Sequence, residues 1–384
     1  MTSCGTQWPC ALRAPYKSLR RLLLFSLVFL MCSRDLEANW HPIWREGRRY
    51  VSLEDMANFY SLSLQPGNGR SFALISPNCA LRGQRDSREL FINDVKYILC
   101  FPVRVEGSRF YLTSLDLLKI VEPVLRPQKI QNPKAVTTVV LDPGHGGYDS
   151  GANCLYGAEK GFTLDIVRRA ARLLKERGYQ VRLTRVSDTF VPLEKRAAIA
   201  NHIPNSIFVS VHFNQSHSSV ARGVETYCVA PLGVPSMDEE FVSNRDFKPC
   251  PGQQQDPQNI ALATAIHTAV VRALDVPDRG IKRARYAVIR ELHVPGVLVE
   301  GGFLSDAGDV RKIASPYYRE QLANGIAQGV DHYRQAVKKR PSPPRISSSL
   351  PSFSLQDHHS LLRIIAPDLD PHLLGLLPSP APKF

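Results

Sequence analysis

Four side chains of metal-binding or acid–base type stand where apolar runs end. His145 lies in "VVLDPGHGGYDSG", residues 139 to 151, a glycine turn that follows an apolar stretch. Glu159 opens the helical segment after that turn. His212 closes "SIFVSVHFN", and Glu300 follows the apolar run of "PGVLVEGG". Taken singly, a histidine in a glycine turn is usually solvated and a strand-end glutamate usually belongs to a surface ion pair. Their convergence changes the reading, because ligands of open α/β sheets collect at the carboxyl ends of the strands. Two neutral imidazoles and one carboxylate form a regular ligand set of catalytic zinc, which keeps a further position for water. The net positive charge left on such an ion lowers the pKa of that water and polarises a carbonyl. His145, Glu159 and His212 fit the ligand set, one Zn2+ per catalytic domain. The chemistry also needs a carboxylate that is not a ligand, as base toward water and then as acid toward a leaving group. Glu300 fits this role, and its apolar approach should raise its pKa. Gly146, Gly147, Gly301 and Gly302 are expected to let a substrate backbone come close.

Other polar residues carry two readings. Asp142 either orients His145 or bonds its own turn backbone. Asn214 reads as a strand-end cap before it reads as a substrate contact. Glu225, in "GVETY", reads as structural before it reads as a support for substrate or metal. Arg285 and Arg290 are candidates to grip carboxylates bidentately, with plain surface charge as the equal alternative. His202 and His217 read as surface residues. No HExxH occurs, which argues against that class of zinc protease.

The elements that must place these residues alternate from 135 to 337. Residues 136–141 read as a buried strand, and 159–177 as a helix with Phe162, Ile166, Ala170 and Leu174 on one face and Gly178 as its stop. "YQVRLT", "SIFVSVHFN", "GVETYCVA", "YAVI" and "PGVLVEGG" read as strands; "LEKRAAIAN" and 259–274 read as helices. A long Pro/Gly-rich loop spans 231–257. The last helix begins at Ser315-Pro316, with Leu322, Ile326, Val330 and Tyr333 on one face. The class is α/β: a twisted mixed, mostly parallel sheet flanked by helices on both faces. Residues 40–125 read as a small α+β accessory domain, and 126–134, polar with two prolines, as a linker.

The ends differ in character. Lys17, Arg20 and Arg21 precede the apolar "LLLFSLVFLM" at 22–31, the layout of a secretory signal ending near residue 38 and too short to span a membrane once mature. Cleavage before Cys32, with lipidation there, is the alternative. Residues 338–384, rich in proline and serine, read as a disordered tail. Export implies an oxidising compartment, in which Cys79 with Cys100 and Cys228 with Cys250 could close loops; free buried thiols are the alternative. Net charge is +13 over 384 residues, which favours anionic partners. Nucleic acid is disfavoured, since no RNA-binding, zinc-finger or Walker pattern is present.

"LDPGHGGYDSGA", "GAEKGFTLDIV", "SVHFN", "GVETY" and "VLVEGGFLSD" occur in one order over about residues 136–335. In this they closely resemble the zinc-dependent N-acetylmuramoyl-L-alanine amidases of the type 3 amidase family. The resemblance implies zinc at His145, Glu159 and His212, a catalytic Glu300, and cleavage of peptidoglycan between N-acetylmuramic acid and L-alanine. The signal-like segment places the protein in the periplasm or cell envelope, with peptidoglycan as the expected partner and an activator protein or the envelope surface as a further candidate. Asp306 departs from the asparagine common in the family. The 40–125 domain resembles copper-amine-oxidase N-terminal-like modules, which implies a spacer or surface-binding role. A catalytically silent wall-binding module and a zinc carboxypeptidase-like enzyme are the rival readings.

Overall fold

Val139, Val140 and Leu141 are all fully buried, yet they serve two cores: Val139 and Leu141 face one side of the sheet and Val140 the other. Alternate side chains of a strand point to opposite faces, so an unbroken apolar run needs cover on both. The computed structural model that reveals this describes residues 40–338 apart from Asn68, Ser219, Asp238, Glu240 and Phe241. The secretory segment with Cys32, and the tail expected from 338 beyond its first residue, lie outside the described residues.

The described residues form strands β1 (Ile43–Arg45), β2 (Arg48–Ser52), β3 (Ser63–Pro66), β4 (Ser71–Ser76), β5 (Cys79–Gln84), β6 (Glu89–Ile92), β7 (Val95–Ile98), β8 (Arg104–Glu106) and β9 (Arg109–Thr113) in the N-terminal part. They continue with β10 (Thr138–Pro143), β11 (Asn153–Cys154), β12 (Gly157–Ala158), β13 (Gln180–Leu183), β14 (Ser206–Asn214), β15 (Val224–Val229), β16 (Asp278–Ala284) and β17 (Gly296–Phe303). One sheet runs β13-β10-β14-β17-β15-β16-β7-β6-β5-β4-β3. From β13 to β16 every pairing is parallel except β15 with β17. The mixed, mostly parallel sheet is therefore as expected. Helices Glu159–Glu176, Asp256–Leu274 and Pro316–Val337 pack together on one face, and Leu193–Asn201 with Ala287–Arg290 lies on the other. Leu322, Ile326, Val330 and Tyr333 are buried, as their spacing required.

Three expectations need correction. "YAVI" is not a strand: Ala287–Arg290 is a short helix, and the strand is the preceding β16, "DRGIKRA". Its charges hide it, because Lys282 and Arg283 are buried in pairs with Glu225 and Asp256. The stretch 126–134 is no free linker. It contains the turn Pro127–Lys129 and buries Ile130 in the main core. The N-terminal unit also shares the large sheet, through Tyr97 of β7 beside Ile281 of β16. Tyr97 donates its hydroxyl to Thr264 (3.0 Å), and Lys96 donates its backbone N–H to Asp278 (2.9 Å). Finally, the five described cysteines are free thiols, so neither loop-closing pair forms. Among the described residues no helix is long and apolar enough to cross a membrane.

Gly325 and Gly329 let Pro316–Val337 press against Asp256–Leu274: a Cβ on Gly329 would collide with the backbone of Ile266 and Ala265. Helix propensity alone favours alanine over glycine by about 1 kcal/mol. The contact reverses the sign, so Gly329→Ala is expected to destabilise the protein by about 1–3 kcal/mol in urea denaturation. Stabilisation would mean that the helices can move apart freely.

Candidate metal centre

Sheet register builds the site. On adjacent strands His212 of β14 lies beside Glu300 of β17, and Glu300 beside Glu225 of β15, three side chains in a row across the sheet. β10 delivers His145 through a tight turn, and the two-stranded hairpin β11–β12 returns the chain to Glu159, the first residue of its helix. A carboxylate is favoured there by the partial positive charge of the helix N-terminus.

His145, Glu159 and His212 come together: one donor atom from each lies within 4.8 Å of the others. His145 Nε2 is 3.0 Å and His212 Nδ1 3.1 Å from Glu159 Oε1. Backbone N–H groups of Phe213 (3.0 Å) and Ala152 (2.9 Å) donate to the two oxygens of the same carboxylate. Burial opposes ionisation of Glu159, but the hydrogen bonds and charges of the two imidazoles outweigh it and hold the carboxyl well below its usual range. Asp149 sits 2.9 Å from His145 Nδ1. An ionised carboxylate can only accept, so Nδ1 carries a proton; Nε2, turned to Glu159, donates to it when protonated and would give its lone pair to a bound metal ion. His145 itself has φ 60°, a strained region for a side chain with a Cβ. Two glycines make room for the cluster: a Cβ on Gly144 would strike the His212 ring, and one on Gly151 would come within 2.5 Å of Glu159 Oε2 and 2.6 Å of His145 Cδ2. Donor types and convergence suit a divalent metal ion.

Glu300 stands apart from that hydrogen-bonded set. Glu300 as a whole is half-buried, and its buried Oε2 has no hydrogen-bond partner. Burial first, then the charges of Glu159 and Glu225, push its carboxyl well above the ordinary range.

Several expectations fare differently. Asp142 does not touch His145. It is fully buried and accepts from Thr184 (2.5 Å), Ser210 (2.7 Å) and Arg196 (2.9 Å). Arg196 in turn donates to the carbonyls of Pro143 and His145, each at 2.7 Å, and so fixes the backbone that presents the imidazole. Arg185 does the same for Pro143 (3.0 Å) and Gly144 (2.7 Å). Arg285 is not free for a substrate: it pairs with buried Asp246 (2.9 Å) and bonds the carbonyl of Pro231 (2.8 Å), pinning the 231–257 loop. Arg290 pairs with its neighbour Glu291. The space beside Gly146, Gly147, Gly301 and Gly302 is filled by Thr189, Phe190, Leu322 and Asp309 with Ile313, so these glycines serve close packing within the protein. Asp306 caps the helix Ala307–Ala314, accepting from Gly308 and Asp309, a task asparagine does equally well. His202 and His217 are exposed.

Glu225 is buried and fully satisfied. It accepts from Asn214 (3.0 Å), Tyr227 (2.5 Å), Arg279 (2.6 Å) and Lys282 (2.6 Å). Sequence reading missed Asp149, Arg185, Arg196 and Lys282. Only Asp149 carried a signal, four residues beyond His145 in the same glycine turn.

An α/β sheet that brings a His–Glu–His cluster and a separate carboxylate together at its strand ends has the residue types that a metal-dependent hydrolase needs. A sequence profile of the N-acetylmuramoyl-L-alanine amidases matches residues 139–332, half of the chain, and the chain belongs to that family of cell-wall hydrolases. It is 34% identical to the uncharacterized protein YqiI of Bacillus subtilis strain 168, over 51% of this chain and 84% of that protein. It is 32% identical to the N-acetylmuramoyl-L-alanine amidase LytC of the same organism, over 54% of this chain and 37% of LytC. It is 28% identical to the amidase AmiA of Escherichia coli K12, over 60% of this chain and 86% of AmiA.

Two outcomes are expected. Asp149→Ala should keep the fold and weaken metal binding about 10- to 100-fold, read by competition with a chromogenic chelator. Glu225→Gln should destabilise the protein at neutral pH by about 3 kcal/mol, since Lys282 stays buried without its counter-charge. Burial resists ionisation of Glu225, yet the Lys282 charge beside it holds its folded pKa below the ordinary value. Its contribution is therefore present above the unfolded pKa, about 4.3, and lost as pH falls through the folded value. The gap between wild type and variant should narrow below about pH 4; a gap independent of pH would remove the ionised carboxylate from the account.

Proposed function

We propose that this protein hydrolyses the amide joining the lactyl group of N-acetylmuramic acid to L-alanine in peptidoglycan. His145, Glu159 and His212 hold one Zn2+, and Glu300 acts as general base and then general acid. One observation carries this reading: three donors of a zinc ligand set meet at the strand ends beside Glu300, a carboxylate with a partnerless oxygen. When bound, zinc supplies Lewis-acid polarisation and a water of lowered pKa. Glu300 takes a proton from the attacking water as its oxygen bonds to the lactyl carbonyl carbon. It then delivers that proton to the L-alanine nitrogen as the carbon–nitrogen bond breaks. Its upward-shifted pKa suits the second half of the task, because a carboxyl that binds its proton more tightly than usual can hold it between steps. Asp149, Arg185 and Arg196 orient the His145 turn throughout.

Export to the envelope, where the substrate lies, belongs to the same proposal and rests on the basic-then-apolar stretch 17–31. The N-terminal unit contributes no group to the His–Glu–His cluster, and we assign it to contact with an activator protein or the envelope surface.

Digests of purified sacculi should release intact stem peptides with a free L-alanine amino terminus by mass spectrometry, and a chelator should abolish that release. Glu300→Gln should lower the rate about 10²–10⁴-fold with metal content unchanged. Release of single residues from peptide carboxyl ends would instead identify a carboxypeptidase. Full activity after metal removal would end the zinc reading.

A further inference from the structure

Beside the cluster the chain holds two aromatic rings in water. Tyr148 is 83% exposed and Phe190 38% exposed, and their rings stack with centroids 4.3 Å apart and planes 28° from parallel. A single exposed ring needs no explanation. A pair held face to face on an anchored support does. Tyr148 is at the tip of a tight turn whose ends are tied by paired backbone bonds between Gly146 and Asp149 (2.9 and 3.3 Å). Asp149, at the base of that turn, is the residue that bonds His145 Nδ1. Phe190 belongs to the neighbouring loop, and the two loops are fastened together. Gly147 donates its N–H to Asp188 (2.8 Å), and Lys160 bridges the Gly147 carbonyl (2.8 Å) and Asp188 (2.7 Å). Gly147 has φ +62°, and a Cβ there would lie 2.7 Å from the Phe190 backbone nitrogen. The support is thus rigid and the rings are not buried by it.

We propose that the Tyr148–Phe190 pair is a subsite for a pyranose ring of the glycan strand. The proposal rests on the amidase reading above. In that substrate the scissile amide hangs from the sugar through its lactyl group, so a sugar ring must lie within a few bonds of the cluster. Tyr148 is three residues from His145, at most about 11 Å along the chain. The C–H face of a pyranose is apolar and presents partial positive charge, which suits the negative face of an aromatic ring. Asp149 follows Tyr148 in the turn, and Asp188, two residues before Phe190, is held by Gly147 and Lys160. Asp149 is partly exposed, and with its bonds to His145 Nδ1 and the Gly151 N–H both on Oδ1, its Oδ2 can accept from a sugar hydroxyl.

The test uses the full chain loaded with zinc. Tyr148→Ala should raise KM for a disaccharide-linked stem peptide about five- to ten-fold with kcat little changed, and Tyr148→Phe should behave as wild type. By calorimetry, Tyr148→Ala should weaken binding of a peptide-free glycan tetrasaccharide by the same factor and leave binding of the free stem peptide unaltered. An unchanged KM, or a loss confined to the free stem peptide, would overturn the proposal. The calorimetric arm needs no turnover, so it judges the subsite even where the wild type releases no stem peptide, the result that would overturn the amidase reading instead.

Discussion

The site depends on keeping one carboxylate ionised in a place where burial works against it. Glu159 is only 3% exposed. Four donors make its charge tolerable: two imidazoles and two backbone N–H groups, with the helix N-terminus behind them. The donors come from three parts of the chain. His145 follows β10, His212 and Phe213 end β14, and Ala152 precedes the β11–β12 hairpin. The carboxylate therefore gathers the ends of two strands and one loop onto the first turn of a helix. An unpaired charge so placed would be severely destabilising, so the convergence of these segments is a condition of the fold as much as of the chemistry.

Two carboxylates of the site must then play opposite parts. Glu159 is held ionised by its donors, whereas Glu300 has an oxygen with none and two negative neighbours. Environments that push two acids apart are the usual sign of separate ligand and acid–base roles. Glu225 lies directly across from Glu300, and its charge adds to the upward push on that carboxyl. Lys282 and Arg279 pair with Glu225, and Asn214 and Tyr227 fill its remaining acceptor sites. This explains a buried lysine beside the site: its charge is spent on Glu225.

The order of elements and the four central residues were legible because they obey local rules. Apolar runs marked β10, β14 and β17, and the polar residues interrupting them marked their ends. β16 was illegible for the opposite reason: its burial depends on Glu225 and Asp256, far away in sequence, so its charges looked like surface. Arg185 and Arg196 gave no signal either, since an arginine bonding carbonyls of another loop resembles any other arginine in a sequence. The glycines were visible but misjudged. A glycine announces close approach without saying by what, and here the approaching atoms belong to the protein itself.

The shared sheet gives the N-terminal unit a physical link to the site. Left alone, β16 would be an edge strand with unpaired backbone groups, and β7 lies against it. Arg283 of β16 is clamped by Asp256 (2.5 Å) and by the carbonyl of Lys119 (2.5 Å), the latter from the N-terminal unit. The preceding residue, Lys282, points to the other face, as strand alternation requires, and there it holds Glu225 opposite Glu300. A single strand thus carries the docking residue on one face and the charge-balancing residue on the other. Any shift of the N-terminal unit that moved Arg283 along its strand would also move Lys282, and the electrostatic setting of Glu300 would follow.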